Sequence, residues 1–203
     1  MTRTELLEKH RYTNVGHDWW QPTYDAFADD MRLKGIRVDR MYFSGFSSQG
    51  DGACFEGRVD DWAVFLPTVG VTCPAVIALA KEHWTLTVEQ RGRYSHEHCT
   101  NFDTFRPNPD DYCLVYDAIE DFAERYSPYP WDADDIRTKA WLALLTRVDY
   151  DALEETMQEA FRGHMRDLYK RLEAEYDHLT SYDAVWESIR ANGLDKELAE
   201  EDR

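Results

Sequence analysis

The chain has 203 residues, 43% of them hydrophobic, and a formal net charge of −17 at pH 7. This length supports one sizeable core, so we expect a single domain over residues 1–193 and a charged tail over residues 194–203. Such an acidic chain repels phosphate groups, which argues against direct binding to nucleic acid. No apolar run reaches the roughly 18 residues of a membrane span, and no membrane partner is expected.

The N-terminus and the cysteines indicate a compartment. Residues 1–10 are charged and lack the apolar stretch of a secretory signal, which predicts a cytoplasmic protein. The cysteines are spread along the chain without a Cys-x-x-Cys pair: Cys54, Cys73, Cys99 and Cys113. This pattern is typical of free thiols in a reducing cytosol.

The first half of the chain has the strand signals. Alternating and β-branched residues predict an antiparallel sheet of four strands within residues 36–106: Ile36–Phe43, Ala53–Val59, His83–Tyr94 and Glu97–Phe105. Helical spacing predicts three helices around them: Thr4–Arg11, Pro22–Lys34 and Pro74–Lys81. Gly35 is expected to end the second helix, and Gly92 to mark a bulge or a turn.

Residues 110–193 have the apolar spacing of helices. The predicted helices are Asp110–Arg125, Asp134–Arg147, Asp151–Tyr176 and a last one, capped by Thr180 or Ser181, that continues to Arg190. The apolar seam of the third helix fits packing on the sheet or pairing with a second copy of the chain, and packing on the sheet is favoured. The sequence therefore predicts an α+β fold, with a sheet in the first half packed against a helical second half.

A polar loop, residues 47–52 (SSQGDG), connects the first two predicted strands. Glycines on both sides of Asp51 allow the backbone conformations that close a hairpin. The N–H groups of such a turn can also bind an anion, with Ser47, Ser48 and Gln49 as further donors. A structural hairpin is favoured over a binding loop.

Tyr94, His96 and His98 form a second group of candidate binding residues. On a strand, residues two apart share a face, so the two histidines would lie side by side, as two zinc ligands would. The candidates for a third ligand are Asp51, Glu56 and Cys99. The spacing is short and lacks the companion motifs of zinc sites, so surface or half-buried histidines without a cofactor are favoured.

Nucleophilic catalysis by Ser47, Ser48 or Cys54 with a histidine base is a further alternative. No Gly-x-Ser-x-Gly motif is present, and Cys54 lies in an apolar run that favours packing over reactivity. We therefore expect a binding protein rather than an enzyme.

The negative charge is concentrated in the second half. Residues 1–100 hold 14 acidic and 11 basic side chains, whereas residues 101–203 hold 26 and 12. Carboxylates on the helices between Asp110 and Glu201 would attract a basic partner, including a protein that itself binds nucleic acid. Solubility alone is the simpler reason for such a surface.

Two segments resemble a known family. They are Tyr42–Gly57 (YFSGFSSQGDGACFEG) and Leu172–Ile189 (LEAEYDHLTSYDAVWESI). Both resemble a family of small, mostly uncharacterised proteins of bacteriophages and prophages, some of which are labelled antitoxin-like. The resemblance implies a phage accessory protein in the host cytoplasm that modulates host enzymes or counters host defence. It supplies no catalytic residues.

Charge and resemblance together predict a phage-encoded accessory protein that binds and modulates or inhibits a host factor through an acidic helical surface. The alternative is a small hydrolase or ligand-binding protein whose site lies where the 47–52 loop meets Tyr94, His96 and His98. In that alternative, Asp51 or a histidine would act as the base. Either protein could be a homo-oligomer.

Overall fold

The computed structural model describes residues 1–105, 145 and 147–197. The helices are α1 (Arg3–His10), α2 (Gln21–Leu33), α3 (Trp62–Thr68), α4 (Pro74–His83), α5 (Tyr150–Leu179) and α6 (Tyr182–Ala191); the strands are β1 (Ile36–Phe43), β2 (Ala53–Val59), β3 (Thr85–Gln90) and β4 (Thr100–Phe105). The predicted helices Asp110–Arg125 and Asp134–Arg147 lie outside the described residues, except for Leu145 and Arg147. None of the helices in the described ranges is long and apolar enough to cross a membrane.

The four strands form one antiparallel sheet in the order β1-β2-β3-β4. The α+β prediction is confirmed, with the sheet in the first half and helices in the second. β1 pairs with β2 from Ile36↔Val59 to Phe43↔Ala53, with a register shift between Val38 and Arg40. β3 and β4 pair from Thr85↔Phe105 to Gln90↔Thr100.

Near the sheet, one predicted strand has the wrong bounds and one helix was not predicted. The strand expected over His83–Tyr94 spans only Thr85–Gln90, because α4 continues to His83 and residues 91–94 belong to the connection to β4. Helix α3 was not predicted, since its sequence is a short apolar run that contains a proline. Asp61 starts this helix: its Oδ1 accepts hydrogen bonds from the N–H groups of Ala63 (2.9 Å) and Val64 (3.3 Å).

The described chain divides into two compact units. The terminal unit consists of Met1–Phe27 and Asp167–Arg203, and the sheet unit of Ala28–Arg166. Within the terminal unit, α1 and α6 share a buried cluster: Leu6, Leu7, Val185 and Ile189. Ser181 caps α6 by accepting the Ala184 N–H, which selects Ser181 from the two predicted caps.

The core of the sheet unit is aromatic. Phe161 of α5 is fully buried, and its ring centroid lies 5.7 Å from that of Phe55 on β2 and 6.0 Å from that of Phe102 on β4. The Phe65 ring of α3 lies 5.7 Å away on another side. The part of the predicted α5 seam at Phe161 therefore packs on the sheet within this unit.

Candidate metal centre

Two loops meet at one end of the sheet. Because the strand order follows the chain, the connections β1–β2 (residues 44–52) and β3–β4 (residues 91–99) leave from the same end. Their approach is tight at Gly52, where an added Cβ would lie 2.8 Å from the Ser95 carbonyl oxygen and 2.9 Å from His96 Cδ2. The first loop thus lies against the segment with the two candidate histidines.

The 47–52 loop binds its own carboxylate. Asp51 Oδ2 accepts hydrogen bonds from the backbone N–H groups of Ser47 (2.7 Å) and Ser48 (2.6 Å). These are the donors that the sequence suggested for an external anion, and Asp51 occupies them. Gln49 is exposed, and Tyr94 is 51% exposed at the rim of the second loop.

Replacing Asp51 with alanine is expected to lower the free energy of unfolding by about 1–2 kcal/mol, because two backbone donors lose a charged acceptor. Asp51→Asn keeps one acceptor oxygen and should lose less. Urea unfolding monitored by circular dichroism measures both changes. Unchanged stability of Asp51→Ala would show that the carboxylate does not hold the loop.

His96, Glu97 and His98 form a compact cluster. Each offers one ligand atom, and these three atoms all lie within 4.8 Å of one another. The predicted strand Glu97–Phe105 is wrong at its start: residues 97–99 form a 3-10 helix, with His96 as its N-cap, and β4 begins at Thr100. The Glu97 side chain is 12% exposed, that of His96 30% and that of His98 72%.

This 3-10 turn explains why the sequence analysis missed Glu97. On a strand, the Glu97 side chain would point to the face opposite those of His96 and His98. In a 3-10 helix three residues complete one turn, so the three consecutive side chains are arranged around the end of that turn and can converge. Two predicted third ligands are engaged elsewhere. Asp51 holds its own loop, and Glu56 accepts hydrogen bonds from the Tyr42 hydroxyl (3.1 Å) and the Gln90 N–H (3.3 Å).

Each carboxylate oxygen of Glu97 faces one imidazole nitrogen. His96 Nδ1 lies 3.2 Å from Oε2, and His98 Nε2 lies 3.7 Å from Oε1. His96 Nδ1 also lies 3.3 Å from the backbone N of His98. This nitrogen can accept that N–H or hold a proton toward Glu97, but not both. The contact between His96 Nδ1 and the Glu97 carboxylate therefore has either a hydrogen on Nδ1 or a metal ion between the two atoms.

Two arginines of α5 are linked to the cluster, Arg166 directly and Arg162 through Glu159. Arg166 Nη1 is 3.8 Å from Glu97 Oε1, and its Nη2 donates to Glu159 Oε1 at 2.6 Å. Arg162 lies 3.8 Å from the other Glu159 oxygen and stacks over Phe102. The hydrogen bond from Arg166 lowers the pKa of the Glu159 carboxyl below its usual value.

Cys54 does not have the properties of a nucleophile. It is fully buried on β2, and burial raises the pKa of its thiol to about 12, with smaller contributions from Cys99 and Glu56. A thiol with this pKa stays protonated at neutral pH and is a poor attacking group. The structure thus supports the expectation that Cys54 is packed rather than reactive.

Comparison with known proteins gives a family but no activity. The model of a family described as a domain of unknown function (DUF8835) matches residues 19–182. No curated protein matches the chain, and neither does any solved structure. The matched range contains both loops and the whole of α5.

Proposed function

The chain belongs to the DUF8835 family, and we propose that it is a binding protein built around one divalent transition-metal ion, zinc by its donor set. The ligands are His96, Glu97 and His98. The observation that carries the proposal is the carboxylate of Glu97 between two imidazole nitrogens at 3.2 and 3.7 Å. Two imidazoles and one carboxylate are a common ligand set of zinc sites that keep an open position.

The spacing of the ligands supports this assignment. Atoms that bind zinc at about 2.0–2.2 Å lie about 3.3–3.5 Å apart in a tetrahedron. The two nitrogen–oxygen distances, each to a different oxygen of Glu97, bracket this separation, and side-chain rotations would bring all three ligand atoms, now within 4.8 Å of one another, onto one ion. Glu97 is nearly buried whereas His98 is exposed, which leaves an open position on the solvent side.

Zinc binding tests the proposal directly. Isothermal titration of tag-free protein with zinc chloride is expected to give one site, and elemental analysis one zinc per chain. Replacing His98 with alanine or Glu97 with glutamine should weaken binding at least about 100-fold, beyond the 10–100-fold effect of residues outside the ligand set.

Matched variants outside the cluster control for general effects. His17→Ala and Glu89→Gln change exposed residues of the same types and should leave zinc affinity unchanged. Equal zinc affinity of His98→Ala and the unchanged protein would refute the site. No measurable binding by the unchanged protein would mean that Glu97 only forms ion pairs with its neighbours.

The uneven charge favours a second candidate function. We propose that the acidic helices bind a basic partner, and that, as the resemblance to phage proteins implies, the partner is a host protein. In the described part, α5 carries the exposed carboxylates Asp151, Glu155 and Glu159. The affinity for a partner captured from host lysate should fall at least about tenfold between 50 and 300 mM salt, because salt screens exposed charges. An affinity independent of salt would contradict this mode of binding.

A further inference from the structure

Among the described residues, the charged groups linked to the cluster through Glu97 and Arg166 balance without a metal ion. Glu97 and Glu159 each contribute one negative charge, and Arg162 and Arg166 each contribute one positive charge. With both imidazoles neutral, as metal ligands must be, these four groups sum to zero. A divalent ion at the cluster would therefore leave a local charge of about +2 beside a nearly buried carboxylate, and such an excess favours an anion.

Arg166 is placed to bind part of that anion. Its Nη2 is fixed by the 2.6 Å hydrogen bond to Glu159. Its Nη1 faces Glu97 at 3.8 Å, which is too long for a hydrogen bond. A metal ion on Glu97 would neutralise this carboxylate and leave Nη1 beside the open coordination position. Guanidinium groups bind carboxylate and phosphate oxygens strongly.

The Arg166 guanidinium keeps its contact with α5 when Glu97 binds a metal ion. Glu159 lies on the same helix as Arg166 and is 58% exposed, so it holds the arginine without contributing to the buried cluster. Arg162 reinforces Glu159 from the other side. The position of the Arg166 guanidinium near the metal site is thus set by contacts within α5 and not by Glu97 alone.

We propose, resting on the metal site above, that the ligand of this protein is a small oxyanion, whose carboxylate or phosphate oxygen binds the metal while Arg166 donates to a second oxygen. Arg166 then has two opposite effects. It repels the incoming metal ion, and it attracts the anion that completes the site.

Cobalt(II), which accepts the same nitrogen and oxygen ligands, provides a coloured probe. Tag-free protein with one equivalent of cobalt is titrated with inorganic phosphate and, separately, with acetate, and the visible absorption is recorded. We expect a saturable spectral change with at least one anion, and the tighter of the two identifies the oxyanion class. Arg166→Gln should bind cobalt about tenfold more tightly and the anion about tenfold more weakly.

Arg32→Gln, a change of an exposed arginine in the same unit, is the matched control and should alter neither affinity. Cobalt binding with no spectral response to either anion would overturn the inference and leave the metal site standing. Equal anion affinity of Arg166→Gln and the unchanged protein would overturn it as well. Failure to bind cobalt and zinc would instead refute the metal site itself.

Discussion

Replacing Phe161 with alanine is expected to lower the free energy of unfolding of the sheet unit by about 3–5 kcal/mol. The side chain is fully buried and is surrounded by the rings of Phe55, Phe65 and Phe102. Those rings belong to β2, α3 and β4, so a cavity at Phe161 removes contacts from three elements at once. Urea unfolding followed by tryptophan fluorescence measures the loss.

Two further variants separate packing from other effects. Phe161→Leu keeps much of the buried volume and should lose clearly less stability than the alanine variant. Glu155→Ala changes an exposed residue of the same helix and should stay within about 0.5 kcal/mol. A loss below about 1 kcal/mol for Phe161→Ala would contradict the aromatic core described above.

Replacing Gly35 with alanine is expected to destabilise the protein by about 3 kcal/mol, from two sources. Gly35 has a φ of +76°, which costs an alanine about 1–2 kcal/mol. In addition, a Cβ at this position would overlap the carbonyl oxygen of Asp61. The backbone cannot easily move away, because the Gly35 carbonyl accepts the N–H groups of Asp60 (2.8 Å) and Asp61 (3.0 Å).

Gly92 isolates the conformational part of this effect. Its φ is +82°, but an added Cβ would meet no described atom within 4 Å. Gly92→Ala should therefore cost only about 1–2 kcal/mol, and thermal or urea unfolding of both variants gives the difference. Equal losses at Gly35 and Gly92 would show that the contact with Asp61 can relax.

Local signals predicted most of the described elements. The bounds of β1 and β2 match the prediction, because β-branched and aromatic residues are bounded by Gly35 and by the glycine-rich loop. Gly35 and Gly193 both have positive φ and end helical segments. Helix α3 was missed because its short apolar run has no helical periodicity, and only the Asp61 cap marks its start.

The candidate site was predicted in part. The 47–52 loop and the histidine segment lie at the same end of the sheet because each connects the two strands of an antiparallel hairpin. The predicted antiparallel sheet already implied this placement. The roles of Asp51 and Glu97 depend on the exact local turn, and a strand prediction assigned Glu97 to the wrong face. Arg166 lies far away in the sequence, so only tertiary packing of α5 brings it to Glu97.

The pairing between β2 and β3 is narrow. The paired residues are Gly57↔Val88 and Arg58↔Thr87, whereas the β1–β2 and β3–β4 hairpins pair along their full strands. Registered backbone pairing therefore joins the two hairpins at few positions, and Phe161, which contacts Phe55 on β2 and Phe102 on β4, links them through the core. Amide hydrogens of the two hairpins should accordingly exchange with solvent as one group, and Phe161→Ala should lower the protection of both.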